Sequence, residues 1–259
     1  MKKGLLYFQQ GYTDIINQLP LINYYLTKYE YLTIIARKSA KPIYDFYLKN
    51  KRNVEIYYPD FELKSKSPSG FYDRFDKNEY DYLLHGKLDY NRYDKYKNIF
   101  MSTPFDDHWG KKYYTCYDID YMNKVKYFEF ERNVELEYKC YLKFVDQNTN
   151  NDYVLYHDNL LGDSTISFNK KENIKYINLN GMGMEMFHMI RILQNSKEIH
   201  LVDSMWASFC YMIDAKYQLL KNVPIFIYPF KERWGGLLKD ISCKNQLEPI
   251  LLDNWTIVK

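Results

Sequence analysis

The chain has 259 residues, and its 36 Lys and Arg against 33 Asp and Glu leave a net charge of +3. So small and interspersed an excess excludes a protein that holds a phosphate backbone by charge, and a hydrophobic fraction of 46% excludes whole-chain disorder. Aromatic residues reach 19%, Tyr alone numbering 29, but 10 Gly and 8 Pro are too few for a collagen-like or low-complexity chain.

Gly4 to Phe8 predicts a strand, and Asp14 to Thr27 a helix with Ile15, Ile16, Leu19, Ile22 and Leu26 at helical spacing. Pro20 is expected to kink or interrupt that helix, because it lacks an N–H and crowds the preceding turn. Tyr31 to Ala36 predicts a strand, Ala40 to Leu48 a helix and Val54 to Tyr58 a strand. Strands separated by helices of this length pair in parallel through βαβ crossovers, so this is the opening of a doubly wound sheet. Residues 64–91, with Ser67-Pro68-Ser69-Gly70, read as loops with a short helix, and Asn98 to Ser102 as one more strand.

Glu131 to Asp146 predicts a charged helix, followed by the turn-rich Gln147 to Asp152. Strands are then expected at Tyr153 to Tyr156, Thr165 to Phe168, Tyr176 to Leu179, Glu198 to Val202 and Val223 to Tyr228, with helices at Met184 to Gln194 and Ser204 to Asp214. The fold class is α/β with two Rossmann-like domains expected to face a cleft. Residues 1–128 form the first, 129–152 a connecting helix and linker, and 153–259 the second.

No run approaches the ~18 apolar residues of a membrane span, and the apolar stretch near the start is too short for a signal peptide. A soluble, cytoplasmic protein is expected. Cys116, Cys140, Cys210 and Cys243 lack the close pairs of a zinc site or redox motif, so they read as reduced and structural.

In open α/β sheets ligands bind beyond the carboxyl ends of strands, where helix N-termini point outward. Four loops qualify. Gln9 to Asp14 offers Gly11 for a tight turn, Thr13, and Asp14, which either caps the helix or serves as a catalytic carboxylate. His157, in Tyr156-His157-Asp158-Asn159, either contacts a phosphate or sugar hydroxyl or is an ordinary polar residue satisfied within the fold. Asp158 is not paired with it, since neighbours on a strand point to opposite faces. Asn180-Gly181-Met182-Gly183 is a Gly-x-Gly turn without the third glycine of a dinucleotide fingerprint, although Asp203 stands about 20 positions on. Asp203 and Ser204 end a strand where a helix begins, an anion site that needs no metal, with capping as the alternative. Arg132 either neutralises phosphate charge or pairs with a neighbouring glutamate.

No nucleophile elbow, zinc helix or P-loop is present in the sequence. Asp118-Ile119-Asp120 has the spacing of a metal-holding pair but lies away from the candidate loops of the second half, and no metal or other cofactor is expected.

Two segments resemble the GT-B glycosyltransferases of the heptosyltransferase-like group. Thr13-Asp14 through Pro20 is similar to that group's Gly-Asp-x-x-x-x-x-Pro stretch, and Asp203-Ser204-Met205-Trp206-Ala207-Ser208 to its Asp-Thr/Ser-Gly-x-x-His stretch. Thr13 and Met205 replace glycines, and Ser208 stands where the His would be. In layout the chain also resembles small glycosyltransferase-like proteins of phages, large viruses and marine bacteria. The matching segments are Arg132 to Glu137, Tyr153 to Asp158, Lys197 to Ser204 and a tail with Trp255.

The resemblance implies transfer of a sugar from a nucleotide-sugar donor to a hydroxyl of a glycan or other acceptor, metal-independent and inverting, in a bacterial or virus-infected host cell. It implies Asp14 as general base and His157 as the second catalytic residue. Gly11, Thr13, Arg132, Asn180, Gly181, Asp203 and Ser204 would bind the donor. No nucleic-acid partner and no membrane span are expected, and the oligomeric state is left open. The alternatives are a catalytically inactive nucleotide-sugar or glycan binding module, and a structural or assembly protein with a GT-B-like fold.

Overall fold

The computed structural model describes residues 3–7, 12–59, 78–84, 114, 118–145, 152–158, 166, 168–202, 204–228 and 252–258. The chain divides into two compact units, Met1–Phe130 and Glu131–Lys259. Each holds its own all-parallel sheet.

In the first unit the order is β1 (Lys3–Tyr7), α1 (Tyr12–Leu26), β2 (Tyr31–Ile35), a 3-10 turn (Lys38–Ala40), α2 (Lys41–Tyr47), β3 (Val54–Tyr57), β4 (Tyr80–Leu84) and α3 (Asn123–Lys126). The strands lie in the order β3-β2-β1-β4. Leu5, Leu6, Leu32 and Ile34 are wholly buried, as both faces of a parallel sheet demand. The helix α1 runs through Pro20 without interruption, so of the two outcomes expected there the break does not occur. Ile15, Ile16, Leu19, Leu21 and Ile22 around it are all fully buried, and that packing outweighs the ~3 kcal/mol an interior proline costs.

The second unit contains α4 (Val134–Phe144), β5 (Tyr153–His157), β6 (Lys175–Asn178), a 3-10 helix (Gly183–Met189), α5 (Ile190–Gln194), β7 (Glu198–Val202), α6 (Met205–Tyr217), β8 (Ile225–Tyr228) and β9 (Trp255–Ile257). Its strand order is β6-β5-β7-β8-β9. Leu155, Ile199, Ile225 and Trp255 stand in register on one face. The helices α5 and α6 cover that face: Tyr153 Oη donates to Ile192 O at 2.7 Å, and the Trp255 and Tyr211 rings lie 6.1 Å apart. On the other face His200 is sandwiched between Phe168, with centroids 4.3 Å apart, and Phe226 at 4.8 Å, while its Nδ1 sits 2.8 Å from Tyr228 Oη. Right-handed crossovers account for this division. Phe168, which belongs to the β5→β6 connection, lies on the face opposite α5 and α6.

The structure corrects four expectations. Tyr80–Leu84 is a strand inside the stretch read as loops. The helix expected over Met184 to Gln194 is a 3-10 helix followed by one short α-helix. Ile166 and Phe168 are not in a strand, and Trp255–Ile257 is one. Asn98 to Ser102 lies outside the described residues.

Buried Asn23 anchors the end of the first unit. Its Nδ2 donates to Tyr127 O at 2.7 Å and to Tyr47 Oη at 3.0 Å, with Glu129 O at 3.3 Å. Asn23→Leu, which strands these acceptors, is expected to lower stability by roughly 2 kcal/mol. Urea unfolding measures it as a lower midpoint at unchanged slope.

Candidate functional site

In the second sheet, successive strands β5 and β6 proceed one way and β7 then returns to the far side of β5. The strand order thus reverses between β5 and β7, and the carboxyl ends of strands at such a switch point are where sheets of this kind bind ligands. Four of the buried polar side-chain atoms without a hydrogen-bond partner belong to residues at these strand ends or to the helix beyond: His157 Nδ1, Asn180 Oδ1, Ser204 Oγ and Trp206 Nε1. Each such orphan is costly unless a ligand or water completes it.

Ser204 follows β7 and precedes the first turn of α6. Its backbone is extended (φ −157°, ψ 179°), it is 2% exposed, and its side chain makes no capping bond. The hydroxyl is therefore not consumed by the helix, and the capping alternative fails for this residue. The opening amides of a helix have no intrahelical acceptor, and with the dipole they form an anion site. Asp203 lies outside the described residues.

His157 ends β5 in register with Leu201, on the face that α5 and α6 cover. Burial pushes its imidazole down to about 4, against an opposing pull from Asp158. At neutral pH it is thus an uncharged hydrogen-bonding group. Beyond β6, Asn180 donates from Nδ2 to Asp158 Oδ1 at 2.8 Å and from its backbone N–H to Asn178 Oδ1 at 2.8 Å. Gly181 follows with φ +76°, a left-handed conformation that glycine adopts without strain.

Gly183 and Met205 show what the motif's missing glycine does here. A Cβ on Gly183 would lie 1.9 Å from Met205 Cε and 2.9 Å from its Sδ, so the thioether packs directly on the bare Cα. The turn after β6 is thereby keyed to the start of α6. Sequence reasoning treated Met205 only as a departure from a pattern; nothing in the sequence links it to residue 183.

Arg132 resolves toward its ion-pair alternative. Its Nε donates to Glu137 Oε1 at 2.9 Å, Nη2 bonds Glu137 Oε2, and Nη2 also donates to Gln194 Oε1 at 3.0 Å. Glu137 is wholly buried at the base of α4, so the guanidinium serves to neutralise it.

In the first unit Asp14 occupies the first turn of α1, half-buried, and its backbone carbonyl accepts from Gln18 Nε2 at 2.8 Å. Gly11 lies outside the described residues, as does the side chain of Thr13, whose backbone is helical. Asp118 has φ +55°, and Asp120 Oδ1 accepts the Met122 N–H at 2.9 Å, so this pair shapes a turn. Among the described residues no three His, Cys, Asp or Glu side chains group as metal ligands, and no helix is long and apolar enough to cross a membrane.

No protein-family model matches the chain, and no curated protein matches it by sequence. Solved structures do match. ADP-heptose LPS heptosyltransferase II of E. coli superposes with a TM-score of 0.53 over 100% of this chain and 90% of that one, at 9% identity. The dodecameric iron-containing heptosyltransferase TibC, in complex with ADP-D-β-D-heptose, gives 0.51 over 99% of this chain and 63% of its own length, at 8% identity. The chain shares their α/β fold.

Two outcomes follow from this geometry. Gly183→Ala should destabilise by about 1–3 kcal/mol through overpacking, and Met205→Ala in the same chain should recover most of it. Thermal melts of the two single variants and the double variant measure that coupling. Because burial lowers the His157 pKa, the unfolded chain takes up the proton first as pH falls from about 6.5 toward 4. Stability is therefore full above 6.5 and declines below it, by at most about 1.4 kcal/mol per pH unit for this group. Urea unfolding of His157→Gln should show a shallower decline, with His188 and His200, also lowered by burial, carrying the remainder.

Proposed function

We propose that the protein transfers a sugar from a nucleotide-sugar donor to a hydroxyl of a glycan or other acceptor, without a metal and with inversion. The observation that carries this reading is Ser204, buried and uncapping before a thirteen-residue helix at the switch point, with the unpartnered His157 imidazole at the neighbouring strand end. A departing diphosphate needs that combination of helix amides and neutral donors to stabilise its charge. Neighbours of the same fold are heptosyltransferases by name, one of them bound to ADP-heptose.

In this proposal the first, Rossmann-like unit binds the acceptor and the second, likewise Rossmann-like, binds the donor, as in GT-B enzymes. Asp14 removes the proton of the acceptor hydroxyl as it attacks the anomeric carbon. The amides of α6 and Ser204 hold the diphosphate, with Asp203 at the same strand end. His157 donates a hydrogen bond to the leaving phosphate, and Asn180 and Gly181 line the nucleotide or sugar. Gly11 and Thr13, next to Asp14 in the sequence, contribute to donor binding in this proposal. Arg132 supports α4 rather than the donor.

A second reading, a binding module without turnover, is favoured by one feature: Ser208 replaces the His of the resembled motif and is itself buried. Calorimetric titration with ADP and UDP, with and without magnesium, separates the two when combined with an assay for donor hydrolysis. Binding plus slow hydrolysis supports the transferase, binding alone the module, and no binding an assembly role. Asp14→Asn should abolish transfer with donor affinity nearly intact, whereas Ser204→Ala should weaken diphosphate affinity roughly tenfold. Loss of affinity in Asp14→Asn together with a lower melting temperature would mark Asp14 as a structural cap.

A further inference from the structure

Exposed apolar surface is concentrated on one helix of the second unit. Among the described residues six large apolar side chains are exposed, and four of them, Val134 (58%), Leu136 (38%), Tyr138 (42%) and Leu142 (38%), belong to α4. The inward side of that helix is already occupied. Buried Glu137 is tied through Arg132 to Gln194 of α5, and Cys140 Sγ lies 3.4 Å from Met189 Sδ. Single exposed apolar residues are ordinary, but a contiguous row of them marks an interaction surface. Val134, Tyr138 and Leu142 follow at four-residue steps and so form one ridge along the outer side of α4. Arg191 lies over the Tyr138 and Tyr141 rings, 4.7 and 5.6 Å from their centroids, and holds the middle of the ridge in place.

The charges beside the ridge select the partner. Glu135 and Lys139 flank it, both largely exposed, with Lys139 Nζ 2.6 Å from Glu135 Oε1. Glu131 precedes them and Lys143 follows, so the outer charges of this segment sum to zero and offer no net attraction to a polyanion or an acidic lipid surface. The pattern instead complements its own reverse. When a second α4 is turned end for end about a two-fold axis at Tyr138, Val134 of each copy meets Leu142 of the other. Glu135 of each copy then stands about two residues, ~3 Å along the axis, from Lys139 of the other, on the same side of the pair.

We infer that the outer face of α4 is a dimer surface whose partner is a second copy of this chain. The two helices pack antiparallel, with Tyr138 at the axis and two Glu135–Lys139 ion pairs exchanged between copies. One helix on each side buries less than the ~1,200 Å² of a standard interface, so the dimer is weak, with a Kd on the order of tens of micromolar. The inference stands independently of the transferase reading.

Sedimentation velocity of the full chain, from about 1 to 300 μM, tests it. The wild type should pass from monomer to dimer across that range. Glu135→Lys and Lys139→Glu each set like charges opposite one another twice, and each alone should weaken the dimer roughly tenfold. An equimolar mixture of the two variants should dimerise again. Mixing cannot repair a helix damaged within one chain, so that recovery reports pairing between copies. Val134→Ser and Tyr138→Ser should also weaken the dimer, with melting temperatures showing that the chains remain folded. A wild type that stays monomeric, a dimer indifferent to these substitutions, or a mixture no better than its components overturns the inference. So does a monomer that co-sediments with phosphatidylserine vesicles and loses them in Val134→Ser, since the face would then serve a lipid surface.

Discussion

The donor site proposed in the second unit depends on one reversal: after β5 and β6 are laid side by side, the chain comes back to place β7 on the other flank of β5. Right-handed connections then pass over opposite faces of the sheet, which makes the ends of β5 and β7 its switch point. Polar groups delivered there by the local sequence are buried but unmet by the protein. His157, Asn180 and Ser204 are the result. Their sum is a pattern of unsatisfied valence rather than a preformed catalytic bond.

The helix that begins at this switch point is fixed at its other end. Asp214, 3% exposed, accepts the Leu220 N–H at 2.9 Å through Oδ1, and the Trp255 Nε1 at 3.4 Å through Oδ2, after which Gln218 ends α6 in a left-handed conformation. Buried Glu137 is likewise matched by Arg132 and Gln194. Asp214 and Glu137 are matched by partners, whereas His157 Nδ1, Asn180 Oδ1 and Ser204 Oγ have none among the described residues. Such unevenness within one small unit is the physical argument for a ligand there, since a fold optimised for stability alone would pair or remove them.

Strands flanked by apolar runs, such as Leu5-Leu6-Tyr7 and Ile199 to Val202, were legible because burial on both faces writes itself into composition. The strand Tyr80–Leu84 was not, because Tyr80-Asp81-Tyr82 follows a polar stretch and only its pairing with β1 defines it. The three residues of β9 are too few for a periodic signal and exist by pairing with β8. At Pro20 the buried core keeps the helix continuous against local propensity. The placement of His157 at the end of β5 and of Ser204 before α6 could be anticipated from the sequence pattern. The Gly183–Met205 contact and the burial that neutralises His157 are products of tertiary packing. The sequence could offer both roles for Arg132; the burial of Glu137 chose between them.

The stack of Phe168, His200 and Phe226 gives the second unit an internal signal. Ring currents from two phenyl groups held 4.3 and 4.8 Å above and below the imidazole, both nearly parallel to it, displace its carbon-bound proton resonances far upfield of an ordinary histidine. His200 lies in the middle of β7, two residues before that strand ends and four before Ser204. Any ligand that tilts the strand end alters the stacking and moves an isolated line in a one-dimensional proton spectrum, so occupancy of the switch point is readable without a label or an assay of turnover.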